Sequence, residues 1–210
     1  MTQFFDVHPK TPQTRLIQKA AEFFRKGVVV YPTDSYYALG CLQGNVDAIA
    51  RLRQLRGVGE EHLMTLACTD LGQIGDYGVM DTAAFRVMKK HVPGAYTFVL
   101  AATKKVSRRL HHPRRKTVAF RVPSHPVAQA LLAEVGEPII STTLRLVGDE
   151  APLDVADFRE RLRGQVDAVI DSGSCVMVPT TVINFSENPP QLLREGGGEV
   201  DAAEEEQGVA

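Results

Sequence analysis

Thr117-Val118-Ala119-Phe120-Arg121-Val122 alternates two kinds of residue at period two. As a strand it places Thr117, Ala119 and Arg121 on one face and Val118, Phe120 and Val122 on the other. The second set reads as a packed face; the first carries a hydroxyl and a guanidinium. The pattern recurs. In Ser141-Thr142-Thr143-Leu144-Arg145, the residues Ser141, Thr143 and Arg145 share a face. Thr180-Thr181-Val182 opens a strand with hydroxyls directly after Pro179, and Thr33 and Ser35 lie just past the carboxyl end of the apolar run Val28–Tyr31. Hydroxyls and guanidinium groups on one sheet face suit an oxyanion: short donors for oriented hydrogen bonds, and Arg for bidentate charge pairing. Any one of these strands has a plainer reading, since Thr is a good strand former and an Arg on a strand is most often solvated. Their co-occurrence is what points to a ligand.

Around this sheet the chain alternates helices and strands. A helix is expected over Thr11–Lys26, with Thr11 as N-cap, Pro12 at the first helical position and Leu16, Ile17, Ala20, Ala21 and Phe24 as its apolar stripe. Val28–Tyr31 follows as a buried strand, then a helix at Val46–Arg56 ended by Gly57-Val58-Gly59, a strand at Leu63–Cys68 and a helix at Thr82–His91. Further strands are expected at Tyr96–Ala102, Thr117–Val122, Ile139–Thr143, Ala168–Asp171, Thr181–Phe185 and Gln191–Leu193. Helices are expected at His125–Val135 behind Ser124 and at Val155–Leu162 behind Asp154. The fold class is α/β, and the later strands lack helices between them, so some pairing is antiparallel. No repeat or linker divides the chain, which reads as a single domain.

Of the 210 residues, 24 are Lys or Arg and 25 are Asp or Glu. Six of the acidic residues follow Arg194, so the chain up to Arg194 carries 24 cations against 19 anions, about +5. The reading is a folded domain over 1–194 and a disordered acidic tail over 195–210, opened by Gly196–Gly198. A mildly basic body suits an anionic ligand. No apolar run approaches the roughly 20 residues of a membrane helix, and the first ten residues lack a signal-peptide pattern. Cys41, Cys68 and Cys175 are odd in number and widely spaced, which favours neither disulfides nor a zinc site and points to a reduced, cytoplasmic compartment.

The densest charge lies in Lys104, Lys105, Arg108, Arg109, His111, His112, Arg114, Arg115 and Lys116. Such a cluster can neutralise phosphates of a nucleotide or nucleic acid, or simply form a solvated loop between strands. It has no interleaved aromatics for base stacking. GxxxxGK[ST], GxGxxG after a strand, HExxH and GxSxG are absent. His62 beside Glu61 reads as an ordinary loop histidine.

Six segments in order carry a more specific signal. Tyr31-Pro32-Thr33-Asp34-Ser35-Tyr36-Tyr37-Ala38-Leu39-Gly40 resembles the YPTDT-x-Y-x-LG opening of the YrdC/YciO family. Pro93–Leu100 resembles its PGP-x-T-x-x-L element, and Phe120-Arg121-Val122-Pro123 its R-V-P. Pro138–Gly148 is similar to PI-x-STSAN-x-SG, Pro179-Thr180-Thr181-Val182 to P-S/T-T-V, and Leu193-Arg194-Glu195-Gly196 to L-R-x-G. The resemblance implies an open, twisted, mixed sheet with a concave, positively charged face flanked by helices. It also implies ATP, L-threonine and bicarbonate as substrates of threonylcarbamoyl-AMP synthesis, in the service of tRNA modification. Mg²⁺ would accompany ATP, with no metal held by the protein itself.

Carried over by position, Thr33, Ser141 and Thr180 would surround threonine, with Arg121 gripping its carboxylate. Thr117, Thr143 and Arg194 would surround the nucleotide. Arg53 falls where the family has the Lys of its KxR motif, so Arg53 and Arg121 are the expected catalytic cations. Two departures stand out: the second KxR position is Leu55, with Arg56 one residue out of step, and the Asn of the SAN triplet is Arg145. Arg is bulkier, always charged and accepts no hydrogen bond. We therefore count Arg56 and Arg145 among the nucleotide-binding candidates. The phrases Arg53-Gln54-Leu55, His62–Cys68, Pro93–Leu100 and Ser141-Thr142-Thr143-Leu144 resemble the YciO branch. Fold carries over with such a resemblance, whereas reaction is a separate question. Two other readings stay open: a non-catalytic protein that holds double-stranded RNA or tRNA through Lys104–Lys116, and a related nucleotidyltransferase with another substrate.

Overall fold

The computed structural model describes residues 1–110, 112 and 114–199; His111 of the basic stretch and residues 200–210 of the acidic tail lie outside it. Eleven strands and six α-helices are found among the described residues. The strands are β1 (Gln3–Asp6), β2 (Val29–Tyr31), β3 (Ala38–Leu42), β4 (Thr65–Ala67), β5 (Gly78–Val79), β6 (Tyr96–Ala102), β7 (Thr117–Arg121), β8 (Ile139–Thr143), β9 (Ala168–Asp171), β10 (Thr181–Asn184) and β11 (Gln191–Arg194). The helices are α1 (Thr14–Lys26), α2 (Val46–Arg56), α3 (Leu71–Tyr77), α4 (Thr82–His91), α5 (Pro126–Val135) and α6 (Phe158–Arg161). All strands join one mixed sheet in the order β1-β9-β2-β3-β8-β4-β7-β6-β10-β11, with β5 on β6. The expected α/β class with partly antiparallel pairing is what the chain adopts. No helix among the described residues is long and apolar enough to cross a membrane.

Several boundaries differ from expectation for local reasons. Thr11 does not cap α1: its backbone N and Oγ1 both engage His8 Nδ1, and the helix begins three residues later behind Gln13. Ser124 does not cap α5 either. Its N and Oγ both bond Asp34 Oδ2 at 2.9 Å, and His125 Nδ1 accepts from Val127 N instead. The last expected helix breaks into a 3-10 turn at Val155–Asp157 and the single turn α6. Gly196–Gly198, assigned to the tail, are hydrogen-bonded: Gly196 N and Gly198 N donate to Thr181 Oγ1, and Gly197 N donates to Pro179 O. Glycine is required here by close approach, since a Cβ on Gly198 would lie 2.4 Å from the Tyr96 ring and one on Gly196 would lie 2.3 Å from Pro179 O.

Helices cover the sheet unequally. One face buries Val30, Leu39, Leu66, Phe98, Leu100, Val118, Phe120 and Ile140 under α2, α3 and α4. On the other face, α1 and α5 pack over Val29, Tyr31, Ala67, Ile139, Ala168 and Ile170. That second cover stops short of the sheet's full area. Beyond it the same face stands open, and the polar residues of the alternating strands lie there.

Candidate functional site

The open part of the sheet forms a cleft of about 270 Å³. Its floor is a cross-strand row, Ser141 on β8 opposite Thr65 on β4, Thr65 opposite Ala119 on β7, and Ala119 opposite Val99 on β6. No side chain in that row is larger than valine, and this is why a hollow exists. Thr97 and Val182 continue the floor toward β10; Ser35, Tyr36 and Tyr37 form one wall.

The amino-acid end, as the resemblance defines it, is built by hydrogen bonds that fix each hydroxyl. Tyr31 Oη donates to Ser141 Oγ at 2.8 Å, and burial pushes the phenol up to about 12, so it stays protonated. Thr180 Oγ1 pairs with Thr97 Oγ1 at 2.8 Å. Arg194 reaches across from β11, donating from Nε to Thr180 O at 3.0 Å and from Nη2 to Thr180 Oγ1 at 3.1 Å. Arg121, 8% exposed, is held by an ion pair from Nη2 to Asp34, while its Nε is buried without a partner. Asp34 is anchored in turn by Ser124. Arg121 is thus oriented by a carboxylate and keeps one donor open.

The opposite end is cationic in a different way. Arg56, at the last turn of α2, lines the cleft with Nε and Nη1 buried and unpartnered. Burial, and then the neighbouring charge of Arg145, hold its pKa below the usual guanidinium value. His62 lines the cleft beside it, its pKa lowered by burial and then by Arg56, Arg53 and Arg145. Among the described residues no Asp or Glu lines the cleft. Buried, unpaired guanidinium N–H groups are costly, so a site that retains them is suited to an anion.

Of the residues expected from sequence, Arg56, Arg121, Ser141, Thr143, Thr180 and Arg194 line this one cleft. Four do not. Thr33 is buried and turned inward, donating from Oγ1 to Tyr36 O at 2.6 Å and accepting from Ser35 N, so it shapes the wall that Ser35 and Tyr36 present. Thr117 shares the face of Ala119 and Arg121 but sits at the far end of β7, outside the lining. Arg53 donates to Gly59 O and, at 3.1 Å, to Arg109 O, tying α2 to the two loops beyond it rather than pointing at a ligand. Arg145 is exposed at the rim, within electrostatic reach of Arg56 and His62. Asp34, Thr97 and His62 were not marked as site residues by the sequence, although each falls in a segment that carries the resemblance: Tyr31–Gly40, Pro93–Leu100 and His62–Cys68.

The basic stretch is the β6–β7 connection. It is pinned by buried Val106 and Leu110, and Lys105 pairs with Asp76 at 2.7 Å. Lys104, Arg108, Arg109, Arg114, Arg115 and Lys116 are exposed. Among the described residues no group of three or more His, Cys, Asp or Glu is placed to hold a metal ion. Asp34, beside the cleft, is already committed to Arg121 and Ser124, so the donor set offers no metal cage.

Comparison with known proteins agrees with the geometry. The Sua5_yciO_yrdC family model, described as "Telomere recombination", matches residues 22–196. Escherichia coli YciO, itself uncharacterized, is 48% identical over 95% of this chain and 98% of its own, and its crystal structure superposes with a TM-score of 0.90 over 96% of this chain and 98% of its own. A Bacillus subtilis threonylcarbamoyl-AMP synthase is 31% identical over 89% of this chain and 55% of its own length. Pyrococcus abyssi Sua5, in a crystal structure with L-threonine, is 28% identical with a TM-score of 0.86 over 93% of this chain and 58% of that one. The described fold, the cleft and these similarities converge: the chain belongs to the Sua5/YciO/YrdC family.

Proposed function

We propose that the cleft binds MgATP and L-threonine and forms L-threonylcarbamoyl-AMP, a cytoplasmic step toward threonylcarbamoyl modification of tRNA. The observation that carries this reading is the pairing, in one cleft without a lining carboxylate, of two arginines with buried unsatisfied N–H groups, Arg121 and Arg56. Arg121 Nε, with Ser141 and Thr180 close by, suits an amino acid carboxylate and hydroxyl. Arg56 at the other end suits phosphates.

No protein nucleophile is required. The threonine amine adds to carbon dioxide and loses a proton, giving a carbamate; a carbamate oxygen attacks the α-phosphorus and pyrophosphate leaves. The residues contribute alignment of the carbamate with the α-phosphorus and stabilisation of charge as the leaving group departs. Incubation with ATP, Mg²⁺, L-threonine and isotopically labelled bicarbonate tests the reading by mass spectrometry. Labelled threonylcarbamoyl-AMP is the expected product; its absence, with label in the adduct of another amino acid, would move the assignment to a different substrate.

The exposed cations of the β6–β7 connection favour a second reading alongside the first, contact with RNA phosphates. RNA affinity that falls steeply with salt and is unaffected by ATP is its expected signature. Affinity insensitive to salt would remove it.

A further inference from the structure

Basic residues of three separate segments meet at the cleft end beside α2. Arg56 comes from the helix and His62 from the 57–64 loop, both in the lining; Arg145, from the turn after β8, stands outside the lining within electrostatic reach of both, and Arg53 adds its field from one turn earlier on α2. The carboxylates that act on these groups stand outside the cleft. Glu60 bears on Arg53, and Asp149, whose field reaches Arg145, is held by Arg161 at 2.7 Å. Arg56 thus lines the cleft with two of its nitrogens, Nε and Nη1, buried and unpaired, and with the like charge of Arg145 acting on it. A single multivalent oxyanion would satisfy all three segments at once.

We propose that Arg56, His62 and Arg145 together bind the doubly charged end of an oligophosphate, and that His62 is a direct ligand of it. This rests on the reading of this end as the phosphate end and goes beyond it in assigning His62 a role as a specificity residue. A neutral imidazole offers one N–H donor and an imidazolium two, so the protonated ring is the better phosphate ligand. In the free protein burial, and then the surrounding arginines, disfavour that form. A bound dianion offsets their field, so the ring gains a proton as the ligand binds. The sign follows by linkage: binding that takes up a proton strengthens as pH falls from the bound-state pKa toward the lowered free-state pKa, and levels off below it. An oligophosphate with a charged terminus is then favoured over a monoanionic diester, which lacks the second charge needed to offset two arginines.

The test reads the imidazole itself and needs no nucleotide, threonine or turnover. Inorganic sulfate remains a dianion through the neutral range, so any proton gained belongs to the protein. Proton–carbon correlation spectra of the six histidines are titrated with pH, with and without saturating sulfate, chloride balancing ionic strength. The His62 midpoint should rise by about one pH unit, equivalent to a tenfold preference of the anion for the protonated ring, while the other histidines stay in place. Arg145→Gln should shrink the shift. Calorimetry of pyrophosphate binding in two buffers of different ionisation enthalpy should show proton uptake in the native protein and less in His62→Gln. An unmoved His62 midpoint, or equal affinity and proton uptake in His62→Gln, overturns the proposal. A failed synthase reaction with an intact His62 shift would overturn the reaction and leave this assignment standing.

Discussion

Replacing Arg56 by methionine separates what the cleft does for its ligand from what it costs the fold. Two nitrogens of this guanidinium, Nε and Nη1, are buried without a partner, and the charge that bears on it is another arginine, Arg145. Each orphaned buried donor costs about 1–3 kcal/mol. The side chain as a whole is half-buried, so solvent relieves part of this and a total of about 1–2 kcal/mol is appropriate. Methionine keeps the apolar stem and discards the charge. The unliganded Arg56→Met protein should therefore be more stable than the native one, by about 2–8 °C in Tm for a chain of this size. The same change removes charge-assisted hydrogen bonds to phosphate, about 1.5–3 kcal/mol, so MgATP affinity should fall roughly 10- to 100-fold. Thermal unfolding followed by circular dichroism, together with calorimetric titration of MgATP, reads both. A variant that melts below the native protein, or one that binds MgATP unchanged, would refute the assignment of Arg56 as a strained, ligand-awaiting cation.

Other outcomes follow from particular contacts. Arg121→Ala should abolish L-threonine binding measured by calorimetry while leaving MgATP binding in place; native threonine affinity would contradict the carboxylate role. Asp34→Asn leaves Arg121 as an uncompensated buried charge and should cost about 3 kcal/mol in urea unfolding, the low end for breaking a buried pair; an unchanged midpoint would show that Arg121 finds another partner. Gly198→Ala drives a methyl into the Tyr96 ring and should destabilise the protein by about 1–3 kcal/mol, with no loss expected if the 195–199 segment can lift away. Burial pushes the Cys41 thiol up to about 12 and raises that of Cys68 as well. Both should resist an aromatic disulfide reagent at pH 8 in the native protein and react in guanidinium, whereas rapid native labelling of either would show that the core opens.

Period-two alternation made the cleft floor legible because β7 and β8 each present one packed and one open face, so Ala119, Arg121, Ser141 and Thr143 fall together by strand geometry alone. The same reasoning could not find β3. Ala38-Leu39-Gly40-Cys41-Leu42 is buried on both faces and shows no alternation, and its strand character comes from pairing with β2 and β8. Nor could it find α3, whose two glycines, Gly72 and Gly75, mask the cap that Asp70 makes with Gln73 N. Hydroxyl residues were misplaced where another partner displaced the helix end: Ser124 serves the distant Asp34 rather than α5, and Thr11 serves the nearby His8 rather than α1. Motif position also said nothing of side-chain direction. Arg53 occupies the expected place yet spends its donors on Gly59 and Arg109, while Arg56, one residue out of step, lines the cleft. His62 was passed over because a histidine's role depends on charges brought from α2 and the β8 turn, which no local pattern encodes.

Pyrophosphate release by the purified protein with MgATP and bicarbonate, with and without L-threonine and in parallel with Arg121→Ala and Arg56→Met, tests the central claim most directly. The account predicts release that requires threonine and is lost in both variants. Absence of release with threonine, or equal release from the native protein and Arg121→Ala, would contradict it.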